Sequence, residues 1–221
     1  MTHAVLLDAL GTLVELRPPA PRLQRELARS GFEVSEERAA AGFGAEIGYY
    51  LSHHLDGRDP EALEDLRDRC ARALMDALEL PGLDHATARR AMLAALEFAP
   101  YPDVAPALRA LREAGSRLVI ASNWDCSLPV WLAPLGLLEL VDGVVTSADV
   151  GAAKPDPALF HRALKLAGVP ATDAVHVGDS VENDVEGARA AGIRALILVR
   201  QGDPPAGVEA VRSLAELPSL I

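Results

Sequence analysis

The sequence predicts an α/β protein: a parallel sheet covered by helices on both faces, with an all-helical domain inserted after its first strand. Three observations carry that prediction. Beyond residue 100, short continuous aliphatic runs alternate with segments of helical period, the pattern of strands buried on both faces. A run of the same kind, Ala4-Val5-Leu6-Leu7, lies near the start of the chain. Between the two, residues 17–98 carry helical spacing and no convincing strand.

Taken in order, Ala4–Leu7 is the first strand, Asp8 stands at its carboxyl end, and Gly11-Thr12 breaks the pattern before Leu13 and Val14 resume it. Pro18-Pro19-Ala20-Pro21 reads as a first hinge. Helices follow through Leu23 and Leu27, then Phe43, Ile47 and Leu51, then Leu63, Leu66, Leu74 and Leu78, then Met92, Leu93 and Leu96, with breaks at Gly31, Gly57–Pro60 and Pro81-Gly82. Ala99-Pro100-Tyr101-Pro102 is the second hinge. The expected domains are therefore 1–16 with 99–221, and the helical insertion 17–98. Asp103 is placed to cap a helix through Val104, Leu108 and Leu111. Strands are expected at Leu118–Ala121, Gly143–Thr146, Ala174–Val177 and Ala195–Val199, making five with the first. Helices are expected around 127–135, from Pro157 to Gly168, and through Val185 and Ala188 to Gly192.

Composition bounds the function. The net charge of −11 argues against a nucleic-acid partner, which asks for a basic face, yet leaves room for a small anionic substrate in a locally positive pocket. No apolar run approaches the roughly 20 residues of a membrane span, and Met1-Thr2-His3 lacks the basic region of a secretory leader. Cys70 and Cys126 alone make neither a disulfide framework nor a zinc site. A reducing cytoplasm is expected, with the chain a monomer or homodimer. Lysine and asparagine are scarce: Lys154, Lys165, Asn123 and Asn183 are the sole examples, so each invites a reason.

Parallel sheets bind ligands beyond the carboxyl ends of their strands. Polar residues gather at those ends: Asp8 and Thr12, Ser122 and Asn123, Lys154 after the third strand, then Asp179, Ser180 and Asp184. Asp8 and Asp179 supply the hard oxygens that Mg²⁺ prefers. Ser122 and Lys154 offer a hydroxyl and a compact positive charge to an anionic group, and Asp184 is placed to hold Lys154 or a metal-bound water. Asp8 would be free to act as a nucleophile.

These segments resemble the haloacid dehalogenase-like hydrolases: "DALGTL" their first motif, "ASNWD" the second, "AAKPDPALF" the third and "GDSVENDVEGARAAG" the fourth, in matching order and spacing. The resemblance implies a five-strand Rossmann-like sheet with a mobile helical cap. It implies Asp8 as nucleophile, Ser122 and Lys154 as holders of the transferred group, and Asp179 as a metal ligand beside Asp8 and the backbone carbonyl of Leu10. Thr12 and Asn123 are further candidates for substrate contact, with Ser180 and Asp184 supporting.

The departure is the Leu10 side chain, where the family's phosphatases carry an aspartate that protonates the leaving group. The family's dehalogenases carry an apolar or aromatic residue there, but work without metal and lack the Gly-Asp pair that "GDS" retains. This mixed pattern looks closest to members of the type called REG-2-like. The expectation is a Mg²⁺-dependent phosphatase of a small metabolite with a good leaving group. A 2-haloacid dehalogenase and a weakly active phosphoryl-binding protein are the alternatives. Glu15 and Asp125 are candidate replacement bases. Tyr49, Tyr50, Arg17 and Trp124 are candidates to face the substrate, and His53-His54 is read as cap surface or cap interface.

Overall fold

The computed structural model describes residues 4–221; Met1-Thr2-His3, read above for a leader, lie outside the described residues. Two compact units emerge, one running up to Glu15 and resuming at Pro100, the other Leu16–Ala99.

Along the chain, β1 (Ala4–Leu7) and β2 (Val14–Leu16) precede four helices of the second unit, α1 (Pro19–Arg29), α2 (Glu36–His53), α3 (Pro60–Leu78) and α4 (His85–Ala95). Then come β3 (Phe98–Pro100), α5 (Val104–Glu113), β4 (Arg117–Ser122), α6 (Leu128–Leu132), β5 (Gly143–Thr146), α7 (Ser147–Val150), α8 (Pro157–Ala167) and β6 (Ala174–Gly178). A π-helical turn, Val181–Glu186, leads into α9 (Gly187–Ala190), followed by β7 (Arg194–Leu198) and β8 (Ala210–Val211).

The first unit is built on a parallel sheet in the order β5-β4-β1-β6-β7-β8. β1 sits at its centre, with Leu7 paired to Ile120 on one side and to Val177 on the other. All four β1 residues are buried, which is why the strand is a continuous aliphatic run. α8 packs its Leu159, Phe160 and Ala163 with Leu6, Val119 and Ile197 in one core. The five expected strands are present. The expectation of five is corrected to six, because β8 adds two residues to the edge beside β7. A two-residue strand carries no period for a sequence reading to detect.

In the second unit, α3 buries Leu63, Leu66, Cys70, Ala71, Leu74 and Leu78, the i, i+3, i+4 stripe of a core-facing helix. Ser35, Asp59 and Asp84 cap α2, α3 and α4 through their side chains. A Cβ on Gly42 would lie 2.8 Å from Leu78 Cδ2, so α2 meets α3 closely there and a side chain at this position would force Leu78 to shift. Two expectations change here. The Pro18–Pro21 hinge is largely helix: Pro19 opens α1, where its missing N–H is no loss. In α2 the acid Glu46 is buried, while Leu51 is 60% exposed. β2 and β3 pair as a separate two-stranded sheet. Among the described residues, no helix is long and apolar enough to cross a membrane.

Candidate active site

Strand order reverses direction at β1, between β4 and β6, and the polar residues gather beyond that switch point. Asp8 extends β1 by donating its N–H to the Val177 carbonyl at 2.9 Å. Its Oδ1 accepts two hydrogen bonds, from Ser122 Oγ at 3.0 Å and from Lys154 Nζ at 2.6 Å. Its Oδ2 has no hydrogen-bond partner among the described residues. One oxygen is thus fixed and the other left open.

Lys154 is only 4% exposed, so its charge must be answered inside the protein. Burial works against the ammonium, but Asp8 and Asp184 outweigh it and hold Lys154 above the ordinary lysine range. Asp184 Oδ1 accepts from Lys154 Nζ at 2.6 Å and from His176 Nε2 at 2.9 Å, while Oδ2 accepts from Ser180 N at 2.9 Å. Against the cost of its own burial, Lys154 and His176 keep Asp184 ionised far below the usual carboxylate range. Asp8 is pushed the other way: burial raises it, Lys154 opposes, and the Asp184 charge adds to the rise.

Asp179 stands at the exposed end of β6 and accepts no hydrogen bond from another described residue. Surrounding protein and the charges of Asp8 and Asp184 push it up to about 6. Its carboxylate lies against Gly11: a Cβ there would be 1.9 Å from Asp179 Oδ2, and Gly11 has φ +82°. Only glycine satisfies both the turn and the contact.

Of the two further candidates for substrate contact, Asn123 is partly buried and Thr12 buried. The Asn123 amide clips the Lys154 main chain, accepting from Lys154 N at 2.7 Å and donating to its carbonyl at 3.0 Å. It shapes the loop that delivers the lysine. Thr12 is fully buried, with Oγ1 unpartnered among the described residues. Ser180 caps the π-helical turn by accepting from Asn183 N, which brings Asp184 back over Gly178. Trp124 is buried and tied through its main chain to Ser147, and Asp125 is buried with Oδ1 accepting from Ser127 N. Leu10 is 42% exposed, so it is not a core residue. In the second unit, Tyr49 stacks on His53 with ring centroids 4.1 Å apart.

His176 went unread in the sequence. It is fully buried in β6, its Nε2 on Asp184 and its ring edge-on to Phe160 at 5.0 Å between centroids. A lone histidine inside an aliphatic strand, two residues before Gly178-Asp179, is the signal that marks it.

The donor set suits a divalent cation. Asp8, Asp179 and Asp184 each place a carboxylate oxygen within 4.8 Å of the others, with Lys154 the one ammonium among them. Three carboxylates against one ammonium leave excess negative charge. Asp184 is fully engaged by hydrogen bonds, so the oxygens left for an ion are the free ones of Asp8 and Asp179, together with the Leu10 carbonyl, which no described residue bonds. All are the hard donors that Mg²⁺ takes.

Comparison with known proteins follows the same lines. A family model described as haloacid dehalogenase-like hydrolase matches residues 2–192. "Haloacid dehalogenase-like hydrolase domain-containing protein 3" of Bos taurus is 43% identical over 115 residues, 51% of this chain and 45% of that protein. A "Glyceraldehyde 3-phosphate phosphatase" of Methanopyrus kandleri is 37% identical over 105 residues, covering 47% of this chain and 44% of that protein. The aligned region thus spans somewhat under half the length of these curated relatives. Among solved structures, a "2-Haloacid Dehalogenase" from Pseudomonas syringae pv. Tomato DC3000 superposes with a TM-score of 0.71 at 26% identity, covering 100% of this chain and 98% of that one.

Proposed function

The chain belongs to the haloacid dehalogenase-like hydrolase family, and within it we propose a Mg²⁺-assisted phosphatase of small phosphorylated metabolites, with Asp8 as nucleophile. The observation that carries this reading is the asymmetry of the Asp8 carboxylate, which clusters with that of Asp179: Oδ1 is held by Ser122 and Lys154, while Oδ2 has no hydrogen-bond partner among the described residues. Asp8, Asp179 and the Leu10 carbonyl would hold the cation. When bound, it would offset the negative charge of carboxylates and phosphoryl oxygens. Relatives named as phosphatases support the phosphoryl group as the one transferred.

In the proposed reaction one oxygen of the Asp8 carboxylate bonds to phosphorus as the ester oxygen leaves with its electron pair, the other oxygen remaining for the cation. Water then cleaves the aspartyl phosphate, releasing phosphate and restoring the carboxylate. Lys154 and Ser122, already on Asp8, stand ready to meet phosphoryl oxygens, where fixed positive charge lowers the barrier. Asp184 and His176 keep the ammonium charged and aimed. Leu10 offers no proton to the leaving group. A positioned acid is worth about 10²–10⁴ in rate, so substrates whose leaving groups need no proton, such as acyl and aryl phosphates, are favoured.

The test is phosphate release from acetyl phosphate, p-nitrophenyl phosphate and sugar phosphates, with Mg²⁺ and with EDTA, beside Asp8→Asn. Turnover in that order, lost in EDTA and in Asp8→Asn, is expected. Leu10→Asp should raise the rate on sugar phosphates by about 10²-fold or more. Silence on every substrate, with Mg²⁺ still bound, would instead favour a phosphoryl-binding protein. A second reading, 2-haloacid dehalogenase, is favoured by the apolar Leu10 and by the structural likeness to the Pseudomonas enzyme. Halide release from 2-chloropropionate would select it. The free Asp179 carboxylate, packed on a glycine, has no task in metal-free halide displacement.

A further inference from the structure

Arg200 follows β7, outside the four motifs and distant in sequence from the first, yet its guanidinium reaches the loop after β1. Nη2 donates to the Thr12 carbonyl at 2.7 Å, Nε to the Gly11 carbonyl at 3.4 Å, and Nη1 to both oxygens of Asp103 at 3.0 and 3.2 Å. Its face lies 3.7 Å from the centroid of the Tyr101 ring. Asp103 is anchored in turn by Ser213 Oγ and Leu214 N, each 2.8 Å from Oδ2. The Asp103 side chain, expected to cap α5, makes no such cap bond and serves this cluster instead.

The carbonyls of residues 9 to 13 show what the cluster does. Ala9 O accepts from Leu13 N and Val14 N, Gly11 O and Thr12 O accept from Arg200, and Leu13 O accepts from Tyr101 N. Leu10 O alone accepts nothing from the described residues. It shares a trans peptide plane with Gly11 N–H, so the two point in opposite directions. That N–H is fixed on Val14 O at 2.8 Å, inside the loop, which turns the Leu10 carbonyl away from it. Gly11 is meanwhile pressed against Asp179.

We infer that Arg200 is a positioning residue for the divalent-cation site: by locking the two peptide carbonyls after Leu10 it holds the Leu10 carbonyl and Gly11 in register with Asp8 and Asp179. The inference rests on the reading of Asp8, Leu10 and Asp179 as ligands. It assigns to Arg200 an effect opposite in sign to its charge. By Coulomb's law alone, removing a cation near a metal site tightens metal binding; loosening the loop weakens it. Lysine cannot replace the planar fork that meets two carbonyls and a carboxylate together.

The deciding experiment is Mn²⁺ binding to the full chain by calorimetry or electron paramagnetic resonance, with thermal melts in the same buffer, for the wild type, Arg200→Gln, Arg200→Lys and Asp179→Asn. Arg200→Gln is expected to raise the Mn²⁺ Kd about tenfold or more, and Arg200→Lys to raise it by less. Should Arg200→Gln fail to fold, Arg200→Lys, which keeps the charge, decides by the same criterion. Unchanged or tighter binding in the folded variants, with or without a lower melting temperature, would leave Arg200 a structural residue and overturn the inference. Wild type and Asp179→Asn showing equal affinity, or none, would overturn the cation reading itself and this role with it.

Discussion

Both units of the protein bury an acid, and they treat it in opposite ways. At the strand ends of the first unit, Asp184 is surrounded by donors and kept ionised by Lys154 and His176. In the helical unit, Glu46 on α2 is 5% exposed, and its carboxyl has the Cys70 thiol of α3 for company. Burial raises Glu46 to about 7, with the thiol only partly opposing. The same desolvation acts on both; the partner decides the outcome. A buried carboxylate stays ionised well into the acid range, available to orient a lysine, only where the fold supplies positive donors, and elsewhere it holds its proton to higher pH.

The largest effect should come from removing the donor that defines the first case. Lys154→Met leaves Asp8 and Asp184 buried side by side without their shared ammonium. Breaking a buried pair in this way costs about 3–5 kcal/mol. Urea denaturation at pH 7 should show that loss, with turnover falling alongside it. A variant as stable as the wild type would mean that the carboxylates find water or protons instead, and the contrast between the units would fail.

Glu46 sharpens the comparison through pH. Its folded pKa of about 7 lies above the unfolded 4.5, so the folded state holds the proton more tightly. The associated stability is fully present below pH 4.5 and is lost as pH rises through 7. At about 1.4 kcal/mol per unit, the range is at most about 3.5 kcal/mol. Subtracting the denaturation profile of Glu46→Gln from that of the wild type, between pH 4 and 8, should isolate this slope; parallel profiles would remove Glu46 as a titrating group. The smallest effect is expected at an exposed pair. Arg194 and Glu209 bond on the surface of the first unit, and Arg194→Ala should change stability by no more than about 1 kcal/mol.

What could be read in the sequence follows the same division between local and distant causes. Asp8, Ser122 and Asp179 were legible because each stands at the carboxyl end of a predominantly aliphatic run, where a polar residue is conspicuous. Lys154 stood out as one of two lysines. The Leu10 substitution was legible, but its exposure was not, since the loop that carries it bonds to Arg200, nearly 190 residues away. Leu51, expected on one face with Phe43 and Ile47, is exposed because helical period gives a stripe but not which edge of the stripe a neighbouring helix covers. His176 hid in an aliphatic strand, and its meaning came only from Asp184, brought over β6 by the π-helical turn.

The burial of Lys154 also divides the chain's two lysines chemically. Amine-directed reagents need an accessible, unprotonated nitrogen, and Lys154 is both enclosed and held protonated by two carboxylates. Lys165, exposed on α8, is left as the single lysine side chain open to labelling. A fluorophore or surface linker aimed at lysine side chains will therefore attach at one defined point and leave the ammonium beside Asp8 untouched.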